Sequence, residues 1–218
     1  MTYIEAITEK KALSTQEHIV YVGYDDNELN ELLDEHKSRQ LSGAYFGEHD
    51  SLLRIYTEKG DEYIAVFKAK EDSLFRTSQS FQTLIDKHDR LMLCANGYLY
   101  RYLINEKKCI SVTDYDCPHM RSADYYGLAS SLHQLMILVT VDGVVAVNWE
   151  KELWQTPLKW SYAGYLSLEK IDENYVHAEY SAPSQPLEGG QLAIELSNGK
   201  IFEKQFNQGR WSLSEFHE

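Results

Sequence analysis

The segment Leu135-Met136-Ile137-Leu138-Val139-Thr140-Val141-Asp142-Gly143-Val144-Val145-Ala146-Val147-Asn148-Trp149 constrains the fold more than any other part of the chain. It reads as two strands joined at Asp142-Gly143, because both residues tolerate the positive φ that a two-residue type I′ hairpin turn requires. From Leu135 to Val139 the apolar run does not alternate. A sheet with one wet face would alternate with period two, so this strand is predicted to be covered on both faces. A buried helical segment is the competing reading; the β-branched residues and the Asp-Gly bracket decide for strand. Glu152-Leu153-Trp154-Gln155 behind the hairpin reads as a third, short strand.

Weaker copies recur. Asp89 to Tyr102 repeats the pattern with Asn96-Gly97 at the turn, Asp50 to Phe67 with Lys59-Gly60-Asp61, and Asn174 to Leu196 with a longer loop. His18-Ile19-Val20-Tyr21-Val22-Gly23-Tyr24 reads as the opening strand of a fifth copy. The copies begin about 40 residues apart, a period that suits a unit of several short strands. Runs such as Ser80 to Ile85, Ser122 to Gly127 and Ser161 to Tyr165 precede the hairpins as inner strands. Cys109 to Val112, Leu153 to Gln155 and Ile201 to Glu203 follow as outer ones.

Asp142-Gly143-Val144-Val145-Ala146-Val147 with Glu152-Leu153-Trp154 resembles the repeat of quinoprotein-type and WD40-type β-propellers. The resemblance covers one repeat well, and the Gly-His…Trp-Asp pair of WD40 repeats does not occur. It implies a fold and transfers no functional residue. The expected architecture is therefore a single all-β domain over residues 1–218, a small β-propeller of about five blades. A β-sandwich is the alternative, since regular short strands and turns suit it as well.

One helix is predicted, near the N-terminus. Leu29, Leu32, Leu33 and His36 fall at i, i+3, i+4 and i+7, behind Asp25 and Asp26. Acidic residues at that end complement the helix dipole. Ser181 to Gly190 reads as the one long loop, and Arg210 to Phe216 as a strand that closes the ring against the N-terminal blade.

The 218 residues carry 21 Lys and Arg against 34 Asp and Glu, a net charge of −13. Nucleic acid and anionic membrane both require a basic footprint, so neither is an expected direct partner. No apolar run reaches transmembrane length, and acidic residues stand where a signal peptide needs its apolar core. A cytoplasmic address is expected. Three cysteines without Cys-x-x-Cys spacing form neither a disulfide framework nor a zinc site.

No motif for nucleophilic, phosphate-binding or zinc-protease chemistry occurs, and no catalytic residue, cofactor or metal is expected. His18, His49, His88 and His133 each precede an opening strand and read as turn residues that hydrogen-bond locally. Asp114-Tyr115-Asp116-Cys117-Pro118-His119 mixes carboxylates with a thiolate, which matches no common metal geometry. Tyr98, Tyr100 and Tyr102 share one face of a strand and read as packing residues.

Charge, compactness and 16 tyrosines point instead to a protein-binding module. The expected form is an acidic inhibitor of a basic partner, such as a bacterial immunity protein that neutralises a nuclease toxin. Its carboxylates would occupy the groove that normally holds phosphates. The candidate contact residues are Asp25, Asp26, Glu28 and Glu31 of the helical segment, the Asp114-Tyr115-Asp116 turn, and Tyr126. A sugar-binding module and an unrecognised hydrolase are the other readings. The first would need an exposed aromatic at one position of every copy, and Trp149, Trp154, Trp160 and Trp211 show no such register.

Overall fold

The computed structural model describes residues 2–7, 18–31, 51–68, 81–95, 98–115, 127–158, 166–182, 185–207 and 210–215. These residues are all-β apart from one short helical stretch over 26–31. The strands form four small sheets.

The first sheet contains β1 (Tyr3–Ala6), β2 (Ile19–Val22), β3 (Ser51–Tyr56) and β4 (Glu62–Phe67), in the order β1-β3-β4-β2. The second runs in chain order through β5 (Phe81–Ile85), β6 (Arg90–Ala95), β7 (Tyr98–Leu103) and β8 (Lys108–Asp114). The third contains β9 (Gly127–Ser130), β10 (Leu135–Thr140), β11 (Gly143–Asn148) and β12 (Glu152–Pro157), again strand beside strand. The fourth runs β13 (Leu166–Ile171), β14 (Tyr175–Ala182), β15 (Gln185–Glu195), β16 (Ile201–Asn207) and β17 (Arg210–Glu215). The chain divides into two compact units, residues 1–81 with 85–114, and residues 82–84 with 115–218.

The hairpin forms, with Thr140 opposite Gly143 and Leu135 opposite Asn148, but the expected Asp142-Gly143 type I′ turn does not. The two turn residues are Val141 and Asp142, neither of which has positive φ, and Gly143 is already the first paired residue of β11. All six residues of β10 are buried, so the strand is covered on both faces. Ile137, Val139, Val144 and Ala146 pack with Leu168, Val176, Leu192 and Ile194 of the fourth sheet into the core of the second unit. Met136, Leu138, Val145 and Val147 are buried on the opposite face.

In the first unit the core is aromatic. Phe67 meets Tyr100 and Tyr102 edge to face, with ring centroids 5.2 and 5.6 Å away. Such pairs add about 0.5–1.5 kcal/mol beyond the area they bury. Two of the three buried phenols place their polar ends on backbone. Tyr63 donates to the Ile104 carbonyl at 2.9 Å, and Tyr100 donates to the Lys68 carbonyl. Burial pushes the Tyr63 phenol up to about 12. The Tyr102 hydroxyl is buried near that of Tyr63 without reaching hydrogen-bond geometry, and desolvation raises it further. Tyr100 and Tyr102 are thus packing residues, as their shared strand face suggested.

Three further expectations are corrected. The strand at 19–22 does not open a fifth hairpin; it is the edge of the first sheet and pairs parallel with β4, Ile19 opposite Ile64 and Val22 opposite Phe67. Its unbroken apolar run needs cover on both sides, which a place beside β4 supplies: Val22 joins one core cluster, Ile19 and Tyr21 another. The C-terminal strand β17 pairs antiparallel with β16 and extends the fourth sheet, instead of completing the first. Only two residues separate β16 from β17, and such a short connection favours local pairing over closure of a chain-long loop. The expected loop from Ser181 to Gly190 is largely paired strand, with Ser181 opposite Gly189 and Tyr180 opposite Gly190.

Candidate functional site

Asp25 begins the helical stretch and is consumed by it. Its Oδ1 accepts from the backbone N–H groups of Asn27 and Glu28, both at 2.9 Å, while its own N–H donates to Glu28 Oε2 at 2.9 Å. This reciprocal pair is a capping box, which satisfies donors that the first helical turn otherwise leaves unmet. The other Glu28 oxygen accepts from Lys68 Nζ, and that bond holds the Glu28 carboxyl below its ordinary value. Lys68 is positioned in turn by its N–H, which donates to the Val22 carbonyl at 3.0 Å. Between strand and helix stands Gly23, with φ at 85°. A β-carbon there would lie 2.9 Å from the Tyr100 ring, so glycine is needed both for the turn and for the approach of the aromatic.

Two of the four helical candidates, Asp25 and Glu28, therefore hold the fold together. Asp26 and Glu31 are exposed. Asp114, also exposed, ends the edge strand β8 of the second sheet, and Tyr115 beside it is half-buried. The helix instead follows the edge strand of the first sheet. Asp116 and Tyr126 lie outside the described residues.

The sequence reading missed a set of turn acceptors. Asp86 Oδ1 accepts from the N–H groups of His88 at 2.8 Å and Arg90 at 3.0 Å, and its Oδ2 from Arg90 Nε at 2.5 Å. Ser130 Oγ accepts from the His133 N–H at 3.3 Å. Asp172 Oδ1 accepts from Asn174 and Tyr175 N–H at 2.9 and 2.8 Å, and Oδ2 from His177 Nε2 at 2.6 Å. Each acceptor stands at the end of the first strand of its sheet or directly after it, ahead of the second. A short oxygen-bearing side chain two or three residues ahead of a turn N–H was the available signal. Of the expected turn histidines, His88 and His133 take part in turns through their backbone, whereas His18 flanks β2 and bonds across to β4. The His133 ring also bonds the Asp172 carbonyl at 2.9 Å, and the His18 carbonyl accepts from Ile64 N–H at 2.8 Å. His49 lies outside the described residues.

Partial burial disfavours the charged form of Asp172, but donation from His177, Asn174 and Tyr175 outweighs it and holds the carboxyl at about 2. A His–Asp pair can orient a general base. Here the second ring nitrogen, Nδ1 of His177, is buried and meets no partner among the described residues, so the imidazole presents no nitrogen to a substrate. Among the described residues no three His, Cys, Asp or Glu side chains gather as a metal-holding group. Trp154 is engaged as well: its indole N–H donates to the Leu196 carbonyl at 2.7 Å. Cys94 and Cys109 are free thiols, and burial raises the latter.

The chemistry on view is that of turns, caps and packed aromatics, beside exposed carboxylates at Asp26, Glu31 and Asp114. Comparison with known proteins adds no assignment: no protein-family model matches the chain, and no curated protein matches it.

Proposed function

We propose that this chain is a protein-binding module that recognises a basic partner through exposed carboxylates. The reading supposes an inhibitor of the immunity-protein kind, acting in the cytoplasm on a basic toxin domain. The observation that carries it is the net charge of −13 combined with the exposure of Asp26, Glu31 and Asp114. Asp25 and Glu28 leave the docking set, because the cap and Lys68 use them. Exposed acidic groups act mainly on association rate and on the rejection of wrong partners. Tyr115, half-buried beside Asp114, suits an aromatic anchor.

The finer architecture belongs to the same proposal: a small propeller of about five blades, of which the second, third and fourth sheets are blades. Internal equivalence supports it. β8 and β12 each carry a bulge against the preceding strand, at Ile110 and Leu153. Both bulged side chains are exposed, at 50% and 39%. Asp89 and Gln134, the residues just before β6 and β10, both adopt left-handed φ, at 55° and 53°. The first sheet, with its parallel edge strand, departs from this pattern.

The test is affinity capture from the native cell on the immobilised chain, with elution by a salt gradient. A basic protein that elutes early in the gradient supports the reading. Retention on immobilised glycans with no protein captured would replace it with the sugar-binding alternative.

A further inference from the structure

β1, β2 and the helical stretch that follows them act as an arm that supplies both edges of the first sheet. β1 pairs with β3, from Tyr3 opposite Tyr56 to Ala6 opposite Leu53, and Ile7 N–H donates to the Leu52 carbonyl at 3.0 Å. β2 pairs with β4 on the other side. The centre of the sheet is the β3–β4 hairpin alone, Ser51 opposite Phe67 and Tyr56 opposite Glu62. The arm also covers that hairpin's faces. Ile4, Val20 and Val22 join the aromatic cluster on one side, and Ile7, Ile19, Tyr21 and Tyr24 pack on Leu52, Ile64 and Val66 on the other. Glu28 on Lys68 and Gly23 under Tyr100 complete the docking.

A two-stranded hairpin is marginal in water, so β3–β4 needs an arm. Nothing in these contacts requires that the arm come from the same chain. The central hairpins β6–β7 and β10–β11 turn within two residues, which forces each pair to form within one chain. The arm is different. It reaches its hairpin through the 19 residues between Glu31 and Ser51. At 3.3–3.6 Å per residue these span roughly 60 Å when extended, far more than the ~5 Å between neighbouring strands.

We propose that this arm is exchangeable: two copies of the chain form a symmetric dimer in which each β3–β4 hairpin is flanked by the other copy's β1 and β2. Every contact of the closed form is remade, so the exchange is thermodynamically close to neutral, and its closed two-fold symmetry stops growth at two copies. A tethered arm competes with an effective concentration on the order of 1 mM. Dilute protein is therefore the closed monomer, and protein refolded near that concentration contains the exchanged dimer. The dimer persists on dilution for as long as an arm takes to leave both edges at once.

The ion pair between arm and hairpin provides the test. Glu28→Lys and Lys68→Glu each place like charges face to face, and only exchange between the two variants restores opposite charges at both docking sites. One variant is isotopically labelled, the two are unfolded, mixed and refolded together at about 1 mM, and the products are counted by native mass spectrometry. The expected result is a dimer population in which mixed dimers clearly exceed the statistical half. A second variant guards against misfolding. Tyr21→Cys with Val66→Cys joins facing positions of β2 and β4, and once oxidised as a dilute monomer it stays monomeric under conditions that dimerise the unmodified chain. Absence of any dimer of the unmodified chain after refolding at that concentration overturns the proposal. So does a mixed fraction at the statistical half, or dimerisation of the locked variant.

Discussion

Trp154 of β12 donates its indole N–H to the carbonyl of Leu196 at 2.7 Å, across the space between the third and fourth sheets. Thr156, on the same face of the strand, donates to the Gly199 carbonyl at 2.7 Å. One edge strand thus grips the β15–β16 turn with two side chains. The grip depends on Gly199, whose φ is 75° and whose hypothetical β-carbon would lie 2.6 Å from the indole ring. Gly199→Ala should destabilise the protein by about 2 kcal/mol or more, since strain and overlap add. Urea denaturation followed by Trp fluorescence measures this, and a midpoint shift worth under ~0.5 kcal/mol would mean the turn is not held as described.

The Asp172–His177 pair has a pH signature. The folded carboxyl sits at about 2, below the ordinary 3.8. A depressed carboxylate contributes stability above its unfolded value and loses it as pH falls through the folded one. Asp172 is 47% exposed, so after allowance for solvent screening the contribution is ~1 kcal/mol. Asp172→Asn should therefore cost about that much at pH 6 and progressively less between pH 4 and pH 2. A cost that stays constant across the range would show that the carboxylate's charge is not what the turn uses.

Neighbouring aspartates should separate fold from function. Asp25→Ala removes the helix cap and should cost about 1 kcal/mol, or about 2–4 °C in melting temperature for a chain of this size. Asp26→Ala should stay within ~0.5 kcal/mol. Differential scanning fluorimetry of the two variants decides, and equal shifts would contradict the assigned roles.

Much of this was legible in the residues because it is local. The unbroken apolar run from Leu135 to Val139 implied cover on both faces, and β10 is buried throughout. Asp142-Gly143 marked the hairpin but not its register, since the turn falls one residue earlier, on Val141-Asp142. Pairing across distance was not legible. The strand at Ile19–Val22 has the composition of a hairpin strand, and nothing in those residues says that it lies parallel to β4. The strand at Arg210–Glu215 is equally silent about its partner, which proved to be its neighbour β16. Asp25 and Glu28 were read as docking groups because counting charge does not register hydrogen bonds, although their three-residue spacing is that of a capping box. Asp86, Ser130 and Asp172 went unseen for the same reason. A turn acceptor is one oxygen at one backbone position, a weaker pattern than an apolar stripe.

The binding reading is tested most directly by association kinetics with the captured partner across a salt series. Chains with Asp26→Lys, Glu31→Lys and the pair together should fold like the parent, because neither side chain is assigned to the cap. Exposed charges steer encounter, and screening removes that help within a Debye length of about 8 Å at physiological ionic strength. The account predicts that the parent's association rate falls steeply as salt rises, that the double variant associates at least about tenfold more slowly at low salt, and that the curves converge at high salt. Association rates that ignore both salt and the two reversals would contradict the claim that exposed carboxylates recognise a basic partner.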